Sequence, residues 1–261
     1  MINLKLEQIK EYEREQPNKI NDFFDSSYSK IYSELLDVEL ESQVNFLENT
    51  YLKSRLKNKI KVLDLCCGTG RHIKKLSDKG YSIDGVDMNP QAVNIAQENL
   101  AQGKIYLSDV QFFNPNIKYD LIYSMESSIG YLPDNQTVDI FKNISTHLLS
   151  DNGVVVLHLT NRDYLMKNLG QRVWFGNAEH GYLLENRTFD LEEGILKINQ
   201  IRIIDGIDKK YSIDLRLYSL KELSCLLSEA GLLIAKVYGD YNNDKFDINA
   251  PYMIVECSKR H

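Results

Sequence analysis

"VLDLCCGTGRH", Val62 to His72, sets an apolar run with one acid, Asp64, and a pair of cysteines before two glycines. That is the composition of a buried strand entering a tight turn, where Gly68 and Gly70 allow main chain to approach a ligand closely. The turn matches neither common phosphate grip. A dinucleotide fingerprint needs a third glycine where this chain has Ile73, and a P-loop needs a lysine and a hydroxyl residue where it has Arg71 and His72. The adjacent thiols Cys66 and Cys67, with Cys225 and Cys257 far away and no C-x-x-C spacing, are a poor set of zinc ligands, so no metal is expected.

Outward from this turn, between about residues 60 and 160, the runs "KVLDL", "YSIDGVD", "KIYLSD", "YDLIYSM" and "GVVVLHL" alternate with helical segments such as "RHIKKLSDKG" and "PQAVNIAQENL". The rhythm is that of βαβ units, which build an open, doubly wound α/β sheet with its ligands beyond the carboxyl ends of the strands. Residues 1–58 read as a helical, aromatic N-terminal cap carrying Tyr12, Phe23, Phe24, Tyr28 and Tyr32. Residues 161–218 switch to alternating runs, "GYLLENRTFDL", "GILKINQIRII" and "YSIDLRLY", with "EEG" and "DGIDKK" as turns, and predict an antiparallel β insert. Residues 219–261 return to the core of 59–160, with a helix from Leu220 to Ala230 closed by Gly231 and then two strands, "LLIAKVYGD" and "YMIVECSK".

The 261 residues are 43% hydrophobic and 26% charged, an ordinary globular balance, and the net charge of -6 disfavours a nucleic-acid partner. No apolar window approaches a membrane span, and the start "MINLKLEQIKEYEREQPNK" is charged where a secretory segment would be apolar. A cytoplasmic protein is expected.

The glycine turn with its preceding Asp64 resembles the first motif of class I S-adenosylmethionine-dependent methyltransferases. Three further stretches follow in that family's order: "GVDMN" with Asp87, "LSDV" with Asp109, and "YDLIYSMESSIGYL" along the fourth strand. The resemblance implies a Rossmann-like, seven-stranded, mostly parallel sheet, S-adenosyl-L-methionine as cofactor, and methyl transfer by in-line displacement in a closed pocket. It differs from the family's most frequent form in having Cys66 where glycine is usual. It assigns Asp64 and the loop of Cys66, Gly68 and Gly70 to the methionine end. Asp87 with Met88 goes to the ribose, Asp109 and the Val110 amide to the adenine, and Met125 and Tyr28 complete the cofactor site. Asp87 in particular can take two hydroxyls in a bidentate hydrogen bond.

The acceptor is less legible. Enzymes that methylate amino groups of nucleic-acid bases share a [DNS]-P-P-[YFW] tetrapeptide after the fourth strand, and "SMESSIGYL" lacks it; "NAPY", Asn249 to Tyr252, leads into the last strand and reads as a turn. The C-terminal pattern resembles small-molecule and natural-product methyltransferases, including sugar, amine and peptide enzymes, which implies a nitrogen or oxygen of a small molecule or short peptide. Candidate acceptor contacts are Tyr32, Tyr131, Asn161, Trp174, Tyr182, Arg187 and Arg216, and candidate catalytic groups are His158, His180 and Tyr131. A hydrogen-bonded strand histidine is the competing reading of His158, a loop residue that of His180, and cross-strand ion pairing that of Arg187 and Arg216. A tRNA or protein methyltransferase and a cofactor-binding regulator without turnover are the alternative functions, and monomer and homodimer both stay open.

Overall fold

The structure, a computed structural model, describes residues 19–57 and 59–260; Tyr12 of the expected cap lies outside them. Its contacts divide the chain into two units, one formed by residues up to Val38 with Leu169–Arg216, the other by Glu39–Asn168 with Leu217 onward. Helix α1 (Ser26–Leu47) contributes to both, its residues to Val38 grouping with the first unit and those from Glu39 with the second.

The second unit carries a seven-stranded sheet. Strands β1 (Val62–Leu65), β2 (Ile83–Asp87), β3 (Ile105–Leu107), β4 (Tyr119–Ser124) and β5 (Leu149–Thr160) are parallel, as the βαβ rhythm predicts. The last two strands, β10 (Leu232–Tyr238) and β11 (Tyr252–Lys259), extend it on one side in the order β10-β11-β5-β4-β1-β2-β3, with β11 the antiparallel member. Helices α2 (Arg71–Asp78), α3 (Pro90–Glu98), α4 (Asp134–Asn143), α5 (Arg162–Asn168) and α6 (Leu220–Glu229) connect the strands.

Both faces of this sheet are buried, and successive strand residues alternate between two cores. Leu63, Ile122, Val155 and Leu157 pack with Ile140 and Phe141 of α4 and Leu223 and Leu227 of α6. Val62, Leu121, Tyr123 and Val156 pack with Val44 and Leu47 of α1, Ile73 and Leu76 of α2, and Val93 and Ala96 of α3. Double burial explains the near-continuous apolar strands, each fully buried Leu, Ile or Val contributing roughly 1.5–3 kcal/mol before entropy is counted. Helix α6 is fixed at its start by a reciprocal capping box between Ser219 and Glu222 and ends, as expected, before Gly231 at φ +78°.

The first unit holds a four-stranded antiparallel sheet, β6-β7-β8-β9, of strands β6 (Arg172–Asn177), β7 (Gly181–Asp190), β8 (Ile195–Ile204) and β9 (Ile207–Arg216). Two features depart from the expectation. Strand β6 adds an edge that short-range alternation did not reveal, because half of its residues are exposed. The turn expected over "DGIDKK" shrinks to Asp205 and Gly206, at φ +53° and +76°, and Ile207 already pairs with Ile204. Asp-Gly suits such a two-residue hairpin turn, which leaves the following residues free to extend the ladder. No helix among the described residues is long and apolar enough to cross a membrane.

Candidate functional site

The glycine turn lies where β1 leaves the sheet. Gly68 and Gly70 have φ of +53° and +74°, and Cys66, at φ +62°, adopts the left-handed backbone that favours glycine. Cys66 therefore keeps the shape of the turn while its side chain packs against the core formed with α4 and α6. The missing third glycine has a structural counterpart. Gly85 on β2 faces Ile73, and a Cβ at residue 85 would lie 2.6 Å from Ile73 Cδ1, so the close approach of helix to strand is provided from the strand side.

Asp87, at the end of β2, ties the turn in place. Its Oδ2 accepts from the Gly68 amide at 2.8 Å and its Oδ1 from the Asn89 amide at 2.8 Å. Burial raises its pKa, while the amides of Asn89, Gly68 and Met88 pull the other way. A carboxylate has about four lone-pair sites, so the Gly68 and Asn89 bonds, one on each oxygen, leave a lone pair on each oxygen for a ribose hydroxyl. Asp109 follows β3 in a similar turn, its Oδ1 accepting from the Gln111 amide at 2.8 Å, with Val110 buried beside it.

Asp64 is the informative member of the set. It is 2% exposed on β1, and its Oδ2 is buried with no hydrogen-bond partner. Burial pushes its carboxyl well above the usual carboxylate range, and the charges acting on it are Asp87, Glu126 and Arg71. The nearby Tyr123 hydroxyl interacts with it but falls outside good hydrogen-bond geometry and is itself without a partner. An orphaned acid under a glycine turn is expensive unless a cationic donor completes it.

The exit of β4 forms a second strained turn. Glu126 and Ser127 have φ of +60° and +61°, and β5 enforces this conformation. His158 Nδ1 accepts from the Glu126 amide at 2.9 Å, and the Ser127 amide donates to the His158 carbonyl at 2.9 Å. The Thr160 amide donates to Ser127 Oγ at 2.8 Å. Consecutive left-handed residues without glycine persist only when their surroundings over-determine them, and such strain gathers at functional sites.

His158 is 4% exposed and continues into a buried network that the sequence did not announce. Since Nδ1 accepts from an amide, the ring proton sits on Nε2 and is donated to Tyr241 Oη at 2.9 Å. Tyr241 also accepts from Gln43 Nε2 at 3.0 Å and donates to Glu39 Oε2 at 3.2 Å, and Tyr252 donates to Glu39 Oε1. Gln43 Oε1 in turn accepts from His72 Nε2 at 2.6 Å. Burial pushes both His158 and His72 down to about 3. With both ring nitrogens engaged and a depressed pKa, His158 has the geometry of the hydrogen-bonded strand histidine that was its competing reading.

The remaining candidates fall in several places. Met125 is buried just before the Glu126 turn, Met88 lies part-buried after β2, and Tyr131 ends the short helical turn Ser128–Tyr131. Asn161 is engaged on every side: Oδ1 accepts from the Asp163 and Tyr164 amides, and Nδ2 donates to the carbonyls of Asp247 and Ala250. It starts α5 and pins the turn containing Asn249, with both amide hydrogens given to backbone carbonyls.

In the antiparallel unit, Tyr28 and Tyr32 stack with ring centroids 4.3 Å apart, and Tyr32 donates to the buried Glu185 at 3.4 Å. Arg187 also pairs with Glu185, while Arg216 donates to the Gly194 carbonyl at 3.3 Å. His180 sits in the β6–β7 turn beside Asn177 and Glu34. Trp174 and Tyr182 are 76% and 41% exposed. The centre of this unit is a residue the sequence reading passed over, Arg202, stacked on Phe23, Tyr28 and Tyr211 and paired with Asp25.

Comparison with known proteins agrees with the architecture. Residues 62–152 match a family described as a methyltransferase domain. A dTDP-3-amino-3,6-dideoxy-alpha-D-glucopyranose N,N-dimethyltransferase of Streptomyces fradiae is 28% identical over 36% of this chain and 38% of its own length. The chain thus matches less than half the length of the curated relatives first found. A glycine/sarcosine N-methyltransferase of Parasynechococcus marenigrum is 24% identical over 91% of this chain and 84% of its own. The solved CcbJ methyltransferase of Streptomyces caelestis superposes over 91% of this chain and all of its own with a TM-score of 0.74 at 18% identity, a likeness of fold.

Proposed function

We propose that this chain, which carries a methyltransferase domain on a Rossmann-like sheet, uses S-adenosylmethionine to methylate an amine nitrogen of a small molecule. The observation that supports the cofactor best is the buried, partnerless Asp64 oxygen beneath the glycine turn. The donor set fits the group: a cationic amino end for Asp64, ribose hydroxyls for Asp87, an adenine amino group for Asp109 and a backbone amide at Val110. When bound, the cofactor supplies a methyl group on a positively charged sulfur.

The protein's share is positioning. Asp87 holds the turn by the Gly68 amide and takes the sugar, so turn and nucleoside are aligned by one carboxylate. The exit of β4, locked by β5 through the His158 and Thr160 bonds, would give the acceptor a fixed backbone to stand against. Two observations favour nitrogen over oxygen. Beyond β4 and β5 lie two acids, Glu126, paired with Arg71, and Glu39, which accepts from Tyr241 and Tyr252, a setting that suits an amine arriving as a cation, and His158, whose Nδ1 lone pair is taken by the Glu126 amide, is not free to deprotonate an alcohol. The relatives named above are N-methyltransferases of an amino sugar and of glycine and sarcosine.

Incubation with methyl-labelled cofactor and a panel of small amines matched to their alcohol analogues tests the reading. Label is expected on amines, with one demethylated cofactor formed per methyl transferred. Label confined to alcohols would refute the choice of nitrogen, and a protein that neither binds nor turns over the cofactor would refute the whole assignment.

A further inference from the structure

We propose that Arg71 receives the carboxylate of the cofactor's methionine tail, and that Glu126 is the internal carboxylate that occupies it beforehand. The inference rests on the cofactor reading above and assigns a residue that neither the motif order nor the family resemblance singles out. An amino-acid tail carries two opposite charges. Asp64 answers the ammonium, so the carboxylate half needs a cation close to Asp64. Arg71 meets that requirement: its charge and that of Glu126 both act on the Asp64 carboxyl. It also opens α2 directly after Gly70, at the helix end that favours anions.

The geometry already shows a carboxylate in this position. Glu126 Oε1 and Oε2 both lie 3.0 Å from Arg71 Nη2. Both oxygens share one nitrogen instead of pairing with two in the fork arrangement that makes the strongest guanidinium–carboxylate bonds. The two side chains are 26% and 32% exposed, so the pair is open to exchange with a ligand. Glu126 is nevertheless no chance surface partner, because β5 holds its backbone in the left-handed conformation described above. The partnerless Asp64 oxygen is the independent sign that the site awaits a charged ligand. Binding then exchanges one carboxylate for another on the same guanidinium, with no covalent change.

Titration calorimetry with S-adenosylhomocysteine and with 5′-methylthioadenosine, which lacks the amino-acid tail, separates the contribution of the tail. Arg71→Gln is expected to weaken S-adenosylhomocysteine about ten- to hundredfold, the span of one charge-assisted contact, while changing methylthioadenosine by less than about twofold. Arg71→Lys should recover part of the loss. Glu126→Gln should tighten S-adenosylhomocysteine about threefold or more by removing the competitor, again sparing methylthioadenosine. Methylthioadenosine binding reports in the same experiment that each variant is folded. Equal loss for both ligands in Arg71→Gln, no loss for either, or weaker S-adenosylhomocysteine binding in Glu126→Gln would overturn the assignment. A wild-type protein that binds neither ligand would overturn the cofactor reading, and this assignment with it.

Discussion

The carboxyl edge of the parallel sheet and the buried charge cluster of the antiparallel sheet are both built from acids, arginines and tyrosines, yet the two leave those groups in different states. In the antiparallel unit Arg202, 1% exposed, lies over Tyr211 at 4.1 Å and Phe23 at 4.6 Å and bonds to Gln200, Asp25 and Ser27. Glu185 is likewise bonded to Arg187, Gln200 and Tyr32. Apart from Arg202 Nη2, that cluster closes on itself. At the parallel edge Asp64 keeps a buried oxygen without a hydrogen-bond partner. Backbone strain divides in the same way. In the antiparallel unit positive φ occurs in its turns, as at Asp205 and Gly206, and at the strand ends that flank them; the parallel unit has such turns too, as at Gly80, Gly103, Asn116 and Gly231, but adds a group of positive-φ residues at the strand exits, Cys66, Gly68, Gly70, Glu126 and Ser127. Strain at a hairpin serves topology, whereas strain at these exits lies along the edge proposed to hold the cofactor, where strain commonly marks function.

Acid should separate the two regions most. His158 and His72 are held neutral by burial, with folded-state values of about 3 against an unfolded value near 6.5. Their contribution is complete above pH 6.5 and is lost as pH falls towards 3, because the unfolded chain binds the protons that the folded chain refuses. Two such groups lower stability by up to about 2.7 kcal/mol per pH unit below 6, which thermal unfolding at stepped pH will read as a falling midpoint. His158→Gln should roughly halve that slope. An unchanged slope would mean that the His158 network is not closed.

Next in size is Arg202→Met, which leaves Asp25 without its cation and is expected to cost about 3 kcal/mol in denaturant unfolding. Its effect on cofactor affinity should be smaller than that of Asp87→Ala, which removes the ribose acceptor and the tie to the Gly68 amide and should weaken S-adenosylhomocysteine about a hundredfold by calorimetry. If Arg202→Met proved the worse binder, the division between a structural cluster and a binding edge would fail. Trp174→Ala, at an exposed position, should move stability by less than about 0.5 kcal/mol.

What the sequence revealed follows the same division. Asp64, Asp87 and Asp109 stood out as candidates because parallel strands place their carboxyl ends on one edge, and the acids lie at those ends: Asp64 one residue before the end of β1, Asp87 as the last residue of β2 and Asp109 two residues after β3. The Cys66 departure was legible too, as a glycine-like turn now seen at φ +62°. Tyr241, Glu39 and Gln43 were not, since tertiary packing joins them to His158 from segments up to about two hundred residues apart, and no local spacing records that meeting. "NAPY" was read as a turn, and Asn249 and Ala250 do form one, yet its last residue, Tyr252, enters β11 and donates to Glu39. Arg202 looked like any alternating strand residue until the fold brought three aromatic rings to it, Phe23 from before α1, Tyr28 on α1 and Tyr211 on the neighbouring β9.

The most direct test of the central claim, that the parallel edge is built to hold S-adenosylmethionine, is a crystal structure with S-adenosylhomocysteine. The expected result has both ribose hydroxyls on Asp87, the amino group on Asp64 and the adenine beside Asp109. A nucleoside bound elsewhere, or lying at this edge without touching Asp87 or Asp64, would contradict it.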